Sequence, residues 1–491
     1  MLDRKKLLAD ALRQNLSAFT RRTFLHLEEG APYQHNWHID HISWQLKRLA
    51  RGDIRRLIIN VPPRSMKSIQ VSIAFSAWAM GHDPTSKILC VSYADALARK
   101  LSIDTRTVMR SNWYRSAFPG LELKCSRQRT MEIETRQGGY RLASGMGGSI
   151  LGRGADLIII DDPQKAIQGI SEAGRRQAKE FYDNALVTRL NDKRHGAIVL
   201  VMQRLHEDDL VGHVLERDDW EHVVLPAIAP EEAMYRLSDK PGHMFRRAKG
   251  DALHPEREPL SILEDIRKVQ GSLVFSAQYQ QQPTPADGNV VRRTWIRFFD
   301  QPPTDCDHII ISWDTASTLG DKSDWTVATV WGAKGRDYYL LHLFRDRVEF
   351  PQLRQQVIDL DRQWRAAATI IEDSELGRAV AQDVRRTGEL RPLLKRPRFD
   401  KQTRFVAQAA RFEAGQIYLP KEAPWLAAFL EELLAFPNGR NDDQVDSVSQ
   451  ALDHLHQTIS RIEKAPNRPV LLRPARLHRP TGYARPDRTA K

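Results

Sequence analysis

Lys67 and Ser68 close one apolar run, LIINVPPRSMKS (57–68), and Asp161 and Asp162 close another within DLIIIDDPQK (156–165). A lysine followed by a hydroxyl, just after a strand-like run, is the pairing that holds nucleotide phosphates: the amine meets the phosphates and the hydroxyl meets magnesium. Two carboxylates at a second strand end supply the rest. Asp161 is the magnesium-side group, and Asp162 is the base or water-orienting group. A spacing of 94 residues from Lys67 to Asp161 suits a single α/β nucleotide-binding domain.

The loop departs from the usual phosphate-binding pattern, because Val61 and Met66 stand where glycines normally let backbone N–H groups wrap the phosphates. Ser65, Met66, Lys67, Ser68 and Arg64 would still line the phosphates, with Arg64 either touching the γ-phosphate or capping the turn. Ser68 opens a helix-like segment, IQVSIAFSAWAMG, whose N-terminal dipole faces an anion. Gln203 ends the apolar run AIVLVMQ, where a polar side chain can sense the γ-phosphate. The bland alternative is a strand, a proline turn and a helix start that carry a surface lysine and capping acids. Two further clusters look metal-like, but neither has a matched ligand set. His206-Glu207-Asp208-Asp209 reads as a solvated helix start, and His35, His38 and His41 read as lining a base pocket or packing locally.

A second set of acids lies downstream. ISWDTAS ends a strand at Asp314, IIED ends another at Glu372 and Asp373, and GRNDDQVDSVSQAL places Asp442, Asp443 and Asp446 at a helix start. Carboxylates converging from two strand ends and a helix are what a two-magnesium nuclease needs to hold a scissile phosphate and activate water. Taken singly, each is more often a cap.

These residues need two scaffolds. The chain has 491 residues, 41% of them hydrophobic, which is enough for two cores. Strand-like runs at 57–61, 87–93, 140–145, 156–161 and 197–203 alternate with helical ones, the pattern of a parallel sheet covered on both faces. The segment 281–293, rich in proline and polar residues, reads as a linker, and a second alternating region follows at 308–314, 326–332, 338–344 and 368–373, closed by a helix over 447–456. Residues 1–50 read as helical. There is no apolar run of membrane-spanning length, and Cys90, Cys125 and Cys306 stand too far apart for a zinc or disulfide framework, which fits a reduced cytosol. The net charge of +12 is uneven: residues 461–491 hold nine Lys/Arg against Glu463 and Asp487, and this proline-rich stretch reads as a disordered tail. A polyanionic partner fits that balance.

In this order, WHIDHISWQL, NVPPRSMKS, GGSILGRGADLIIIDDP, VMQRLHEDDLVG, FSAQYQQQPTP, SWDTAS, IIEDSELG and NDDQVDSV span Trp37 to His456. The ordered set resembles the large subunit of tailed-phage terminases. That resemblance implies an α/β P-loop ATPase domain (51–282) preceded by a helical, adenine-side segment (1–50). A linker (283–300), a ribonuclease-H-like nuclease domain (301–458) and a basic tail (459–491) would follow. It implies an enzyme that hydrolyses ATP to move double-stranded viral DNA into a procapsid and cuts concatemers with magnesium, or manganese, in the nuclease site. It also implies a small subunit, a portal, a homo-oligomeric ring and residence in the host bacterial cytoplasm, with no membrane association.

Matched by motif, Arg64, Lys67, Ser68 and Asp161 hold phosphates and magnesium, and Asp162 stands where many members have a catalytic glutamate. Gln203 falls in the segment that couples hydrolysis to movement, and Arg64, or Arg153 acting in trans, would be the arginine finger. Asp314, Glu372, Asp442 and Asp443 match the nuclease acids, and Glu372 is preferred over Asp373 because it stands five residues before Gly377. The methionine at 66 and the Asp-Asp pair depart from the family, and they bear on turnover more than on nucleotide binding. Two other readings of these residues stand beside this one: an ATP-dependent DNA-processing nuclease outside packaging, and a decayed prophage protein that serves only in DNA binding or assembly.

Overall fold

The computed structural model describes residues 4–124, 130–148, 150, 152–283, 290–315, 325–439 and 442–464. It divides into two compact units, residues 1–286 and 287–491.

In the first unit, runs of β-branched and aliphatic residues form β1 (Arg56–Asn60), β2 (Lys87–Ser92), β3 (Glu132–Glu134), β4 (Tyr140–Gly145), β5 (Leu157–Asp161), β6 (Ala197–Met202) and β7 (Glu221–Val224). They lie in the order β3-β4-β2-β5-β6-β1-β7, and every pairing is parallel except β3 with β4. Successive residues serve opposite faces. Leu57 and Ile59 pack with Val71, Phe75 and Trp78, whereas Ile58 packs on the other side with Leu200 and Leu210. Both faces are therefore dry, which is why these strands read as unbroken apolar runs rather than alternating ones. A small antiparallel ribbon, β8 (Ala233–Arg236) with β9 (Met244–Arg247), completes the strands of this unit.

The strand order matters most at the carboxyl ends. Because β6 sits between β5 and β1, the residues after Met202 lie between those after Asp161 and those after Asn60. After the β1 loop the chain winds through wide π-type turns over Ser68–Phe75 before the α-helix Ser76–His82.

The second unit contains β10 (Arg297–Phe299), β11 (His308–Asp314), β12 (Thr326–Lys334), β13 (Asp337–Asp346), β14 (Ala368–Glu372), β15 (Leu393–Lys395) and β16 (Ile417–Pro420), in the order β10-β16-β13-β12-β11-β14-β15. The central β11-β12-β13 meander is antiparallel, and β14 adds parallel to β11. One face, carrying Ile311, Trp313, Ala328 and Val330, packs on the helices Phe350–Trp364 and Glu375–Arg386 through Leu353, Val357, Val380 and Val384. The opposite face receives the helix Asp443–Lys464: Ser447 Oγ donates to the Ser312 carbonyl at 2.8 Å, and Gln450 Nε2 donates to Ser312 Oγ at 3.0 Å.

Three expected boundaries move. The linker expected over 283–300 is shorter, because Val290 and Val291 are buried and Arg297–Phe299 pairs with β16; residues 284–289 of that span lie outside the described residues. Gln281, placed in the linker by its composition, is buried and its side-chain oxygen accepts from the Arg204 N–H at 2.9 Å. The last helix runs to Lys464 rather than ending near 456, and the remainder of the basic tail and Cys125 lie outside the described residues. Among the described residues, no helix is long and apolar enough to cross a membrane.

Trp313 is fully buried and its ring meets Phe344 at 5.7 Å. Trp313→Ala should therefore destabilise the second unit by about 3–5 kcal/mol, seen as an earlier transition in a urea titration of the whole chain. A change under about 1 kcal/mol would show this face to be loosely packed.

Candidate functional sites

The loop after β1 carries its load without glycine. Arg64 and Met66 both take left-handed backbone angles, each with φ of 60°. For side chains other than glycine this is strained by roughly 1–3 kcal/mol, so the surroundings must hold it. The Arg64 carbonyl accepts from the Arg257 guanidinium, and the Met66 carbonyl accepts from Gln70 N–H at 2.9 Å. Gln70 is itself anchored to the Ile39 carbonyl and Ser43 Oγ on the helix Trp37–Arg51.

This loop points Lys67 across the strand ends. Its buried amine donates to Gln203 Oε1 at 2.8 Å and meets Asp162 Oδ2 at 2.9 Å. The strand order thus brings three sequence-predicted residues together. Asp162 also has positive φ, 45°, and its backbone is pinned on both sides, its N–H to the Val201 carbonyl and its carbonyl to the Tyr93 N–H. Beside it, Asp161 is buried and accepts from Ser68 Oγ at 3.1 Å and Ser72 Oγ at 2.6 Å. Burial and then the Asp162 charge hold its carboxyl above the ordinary carboxylate range. Ser72 was not anticipated from the sequence. Its signal is the i+4 spacing from Ser68, which puts both hydroxyls on one helix face.

A cavity of about 630 Å³ opens here, lined by Phe24, Gln34, His38, Arg64, Lys67 and Asp162 among others, a size suited to one nucleotide. His38 is buried, and burial, followed by the neighbouring His254, pushes its pKa down to about 3, so it stays neutral. His41 instead meets the Arg236 carbonyl and His35 pairs with Asp40, so of the three histidines only His38 reaches the cavity. Arg153 lies elsewhere: it is ion-paired to Glu132 at 2.6 Å and covers the Tyr140 ring. The segment 206–209 does start a helix with Glu207 and Asp208 exposed, but Asp209 departs from the expected solvation. Asp209 is completely buried, accepts from the Leu205 and Gly212 N–H groups, and pairs with Arg204, because it caps the helix Leu210–Leu215 inside the core.

The second unit gathers its acids at one sheet edge. Asp314 ends β11 and Glu372 ends the adjacent parallel strand β14, where Trp313 registers with Ile371. Asp443 and Asp446 stand in the first turn of the helix packed over that edge. Asp373 instead pairs with Arg378 at 2.8 Å. Two cations from one face of the helix Lys401–Glu413 stand among the acids. Lys401 meets Asp442 at 2.6 Å and Asp446 at 2.8 Å, while Arg404 meets Asp446 at 2.7 Å and Glu372 at 3.5 Å. Asp442, expected as a ligand, and Asp446 are both held by Lys401, and Asp446 is the more buried of the two. The spacing Asp443-x-x-Asp446 with Lys401-x-x-Arg404 was the available signal: i and i+3 share a helix face.

Among the described residues, no three His, Cys, Asp or Glu side chains are arranged to hold a metal ion. The chemistry of the donors nevertheless fits one. Among the described residues, Asp314, Glu372 and Asp446 lie close together and largely buried, and such a group favours bound protons or cations. Burial first, then Asp446 and Glu372, holds the Asp314 carboxyl far above its usual range, and burial pushes Asp446 up to about 6 despite Arg404 and Lys401. Folded values above the unfolded ones mean that the protonated forms favour the fold. For Asp446 this stabilisation is complete below about pH 4 and is lost as pH rises through about 6. For Asp314 the same loss comes as pH rises through its raised folded value, so in metal-free buffer above that point Asp314→Asn should raise the melting temperature, by roughly 2–4 °C for ~1 kcal/mol in a unit of this size. A lower melting temperature would mean that the ionised carboxylate is favourably held.

Residues 311–455 match the family model of the terminase RNaseH-like domain. No curated protein matches the chain. Among solved structures, the chain resembles the large terminase of a thermophilic bacteriophage in two crystal forms. One is 11% identical over 89% of this chain and 98% of that one, with a TM-score of 0.51. The other is 12% identical over 87% and 100%, with a TM-score of 0.50. The two sheets described above therefore have the fold of a phage large terminase, a mostly parallel α/β unit followed by a ribonuclease-H-like unit, and residues 311–455 match the terminase RNaseH-like domain model.

Proposed function

We propose that this chain is a packaging terminase large subunit. It hydrolyses ATP in the first unit to drive double-stranded viral DNA into a procapsid and cuts concatemeric DNA in the second unit. The observation that carries this reading is the presence, on one chain, of two sheet-edge sites of opposite make-up: a lysine-headed cavity and a carboxylate cluster.

In the cavity, the Lys67 amine leaves Asp162 and Gln203 for the β- and γ-phosphates when ATP enters. Ser68 and Asp161 hold magnesium, which offsets phosphate charge when bound. Release of Lys67 frees the Asp162 carboxylate to orient water and frees Gln203 to report the γ-phosphate, so the catalytic acid is armed only by substrate. Arg64 is exposed and lines the cavity, which suits an arginine finger acting within its own chain. Phe24, Gln34 and neutral His38 offer an aromatic and polar wall for the base.

In the second unit, Asp314, Glu372, Asp443 and Asp446 hold two magnesium or manganese ions, whose chemistry is to activate water and offset the leaving oxygen. Lys401 and Arg404 keep these acids together between turnovers. A small subunit, a portal and a ring of copies in the host cytoplasm complete the proposal, and the likeness to a phage large terminase fold supports it.

Lys67→Ala should lower ATP hydrolysis at least ~100-fold, read by phosphate release, and leave metal-dependent plasmid nicking intact. Met66→Gly should retain or raise hydrolysis, since glycine relieves the left-handed strain; a loss matching Lys67→Ala would give the methionine a role of its own. Asp314→Asn should show the converse of Lys67→Ala, with cleavage reduced by more than roughly 100-fold and hydrolysis kept. Wild-type cutting by a folded Asp314→Asn protein would overturn the nuclease assignment.

A further inference from the structure

The carboxylate edge faces a substrate of its own sign. DNA approaches as a polyanion, and metal ions serve only the phosphate being cut; the phosphates beside it need cations from the protein. The two-strand neighbourhood of Asp314 supplies a candidate. Asp314 registers with Val327 on β12, and Val327 registers with Arg345 on β13, so the three residues stand in line on one face of the sheet. Two residues before Val327, about 7 Å along the strand, lies Trp325. Both Arg345 and Arg347 rest against its indole, each guanidinium carbon 4.7 Å from the ring centre.

Two guanidinium groups gathered on one ring repel each other, and the ring quadrupole offsets only part of this. Arg345 is fixed from behind. It meets the buried Glu432 at 3.4 Å, and Glu432 in turn accepts from the Gln444 N–H at 2.7 Å, in the turn that carries Asp443 and Asp446. Arg345 Nε is buried with no hydrogen-bond partner. Arg347 is exposed and, among the described residues, has no carboxylate within ion-pair distance. A fixed cation, an exposed cation and an aromatic spacer, tied to the helix start that bears the acids, form a receptor for an anion next to that site.

We propose that Arg345, Trp325 and Arg347 form a phosphate clamp that holds the DNA strand flanking the scissile bond. The proposal rests on the nuclease reading given above. Trp325 sets the two guanidinium groups, Arg347 meets a backbone phosphate, and Arg345 ties that contact to the metal-binding helix. Since the contact is to phosphate, it carries no sequence preference.

The test uses the full chain and a fluorescently labelled DNA duplex of random sequence. In an Asp314→Asn background, which binds without cutting, Arg347→Gln should weaken binding and lower the slope of log affinity against log salt by about 0.9, the signature of one lost phosphate contact. In the otherwise wild-type chain, Arg347→Gln should raise KM for cleavage roughly tenfold with kcat within about twofold, since the contact is made equally in ground and transition states. Trp325→Ala should follow Arg347→Gln, while Trp325→Phe should keep most of the effect of the native ring. An unchanged KM and salt slope in Arg347→Gln, at an exposed position where the fold does not depend on the side chain, would overturn the clamp. Full cleavage by Asp314→Asn would instead sink the nuclease reading, and the salt slope then decides the clamp alone.

Discussion

Buried carboxylates cannot crowd together unless positive charge stands among them, and both sites of this chain are organised by that requirement. In the first unit, Asp161 and Asp162 lie side by side at one strand end, with the Lys67 amine 2.9 Å from Asp162 and two serine hydroxyls on Asp161. In the second, Lys401 and Arg404 stand among Glu372, Asp442 and Asp446, while burial drives Asp314 toward its protonated form despite the nearby Lys401. Each arrangement is satisfied enough to fold and unsatisfied enough to bind. A cation or phosphate that enters replaces a contact rather than filling a void, which keeps the desolvation penalty of the acids from falling on the empty protein alone.

Topology converts that local requirement into a site. Lys67, Asp162 and Gln203 are separated widely in the sequence, and only the insertion of β6 between β5 and β1 aligns them. The same holds in the second unit, where the antiparallel β11-β12 pair and the parallel β11-β14 pair end at one edge. The helix Asp443–Lys464 is laid over it by Ser447 and Gln450 bonding to β11. Buried arginines extend this logic away from the sites. Arg141 is completely buried, reaching Ser76 Oγ and the Ser72 carbonyl, so it braces from beneath the helix whose Ser72 hydroxyl grips Asp161.

The parts legible in the sequence were those written in short range: apolar runs ending in charge, a lysine-hydroxyl pair, and acids at strand ends. Parallel strands buried on both faces show themselves as unbroken aliphatic runs, and their carboxyl ends locate the loops. What escaped was written in three dimensions. Lys401 and Arg404 sit in an ordinary amphipathic helix, and their i, i+3 spacing marks a shared face but not what that face meets until the helix packs on Asp446. Asp209 looked solvated because His206, Glu207 and Asp208 beside it are polar, yet its own side chain turns inward to cap a helix and hold Arg204. The linker was overread for a similar reason: Pro283, Pro285 and Gly288 are composition, whereas Val290 and Val291 carry the packing.

The loop without glycine shows how a motif can be lost in letters and kept in shape. Glycine is favoured in such loops because it enters the left-handed region freely and leaves room for phosphate. Here Arg64 and Met66 enter that region nonetheless, at a strain that other contacts must offset. Arg257 on the Arg64 carbonyl and Gln70 on the Met66 carbonyl supply those contacts, and Gln70 passes the load to the helix Trp37–Arg51 through Ile39 and Ser43. The helix that bears the neutral His38 of the cavity wall is therefore also the support of the phosphate loop. A chain built this way ties the base side of the pocket to the phosphate side, so that substitutions at the uncharged Gln70 or Ser43 would loosen Lys67 through the backbone rather than through charge.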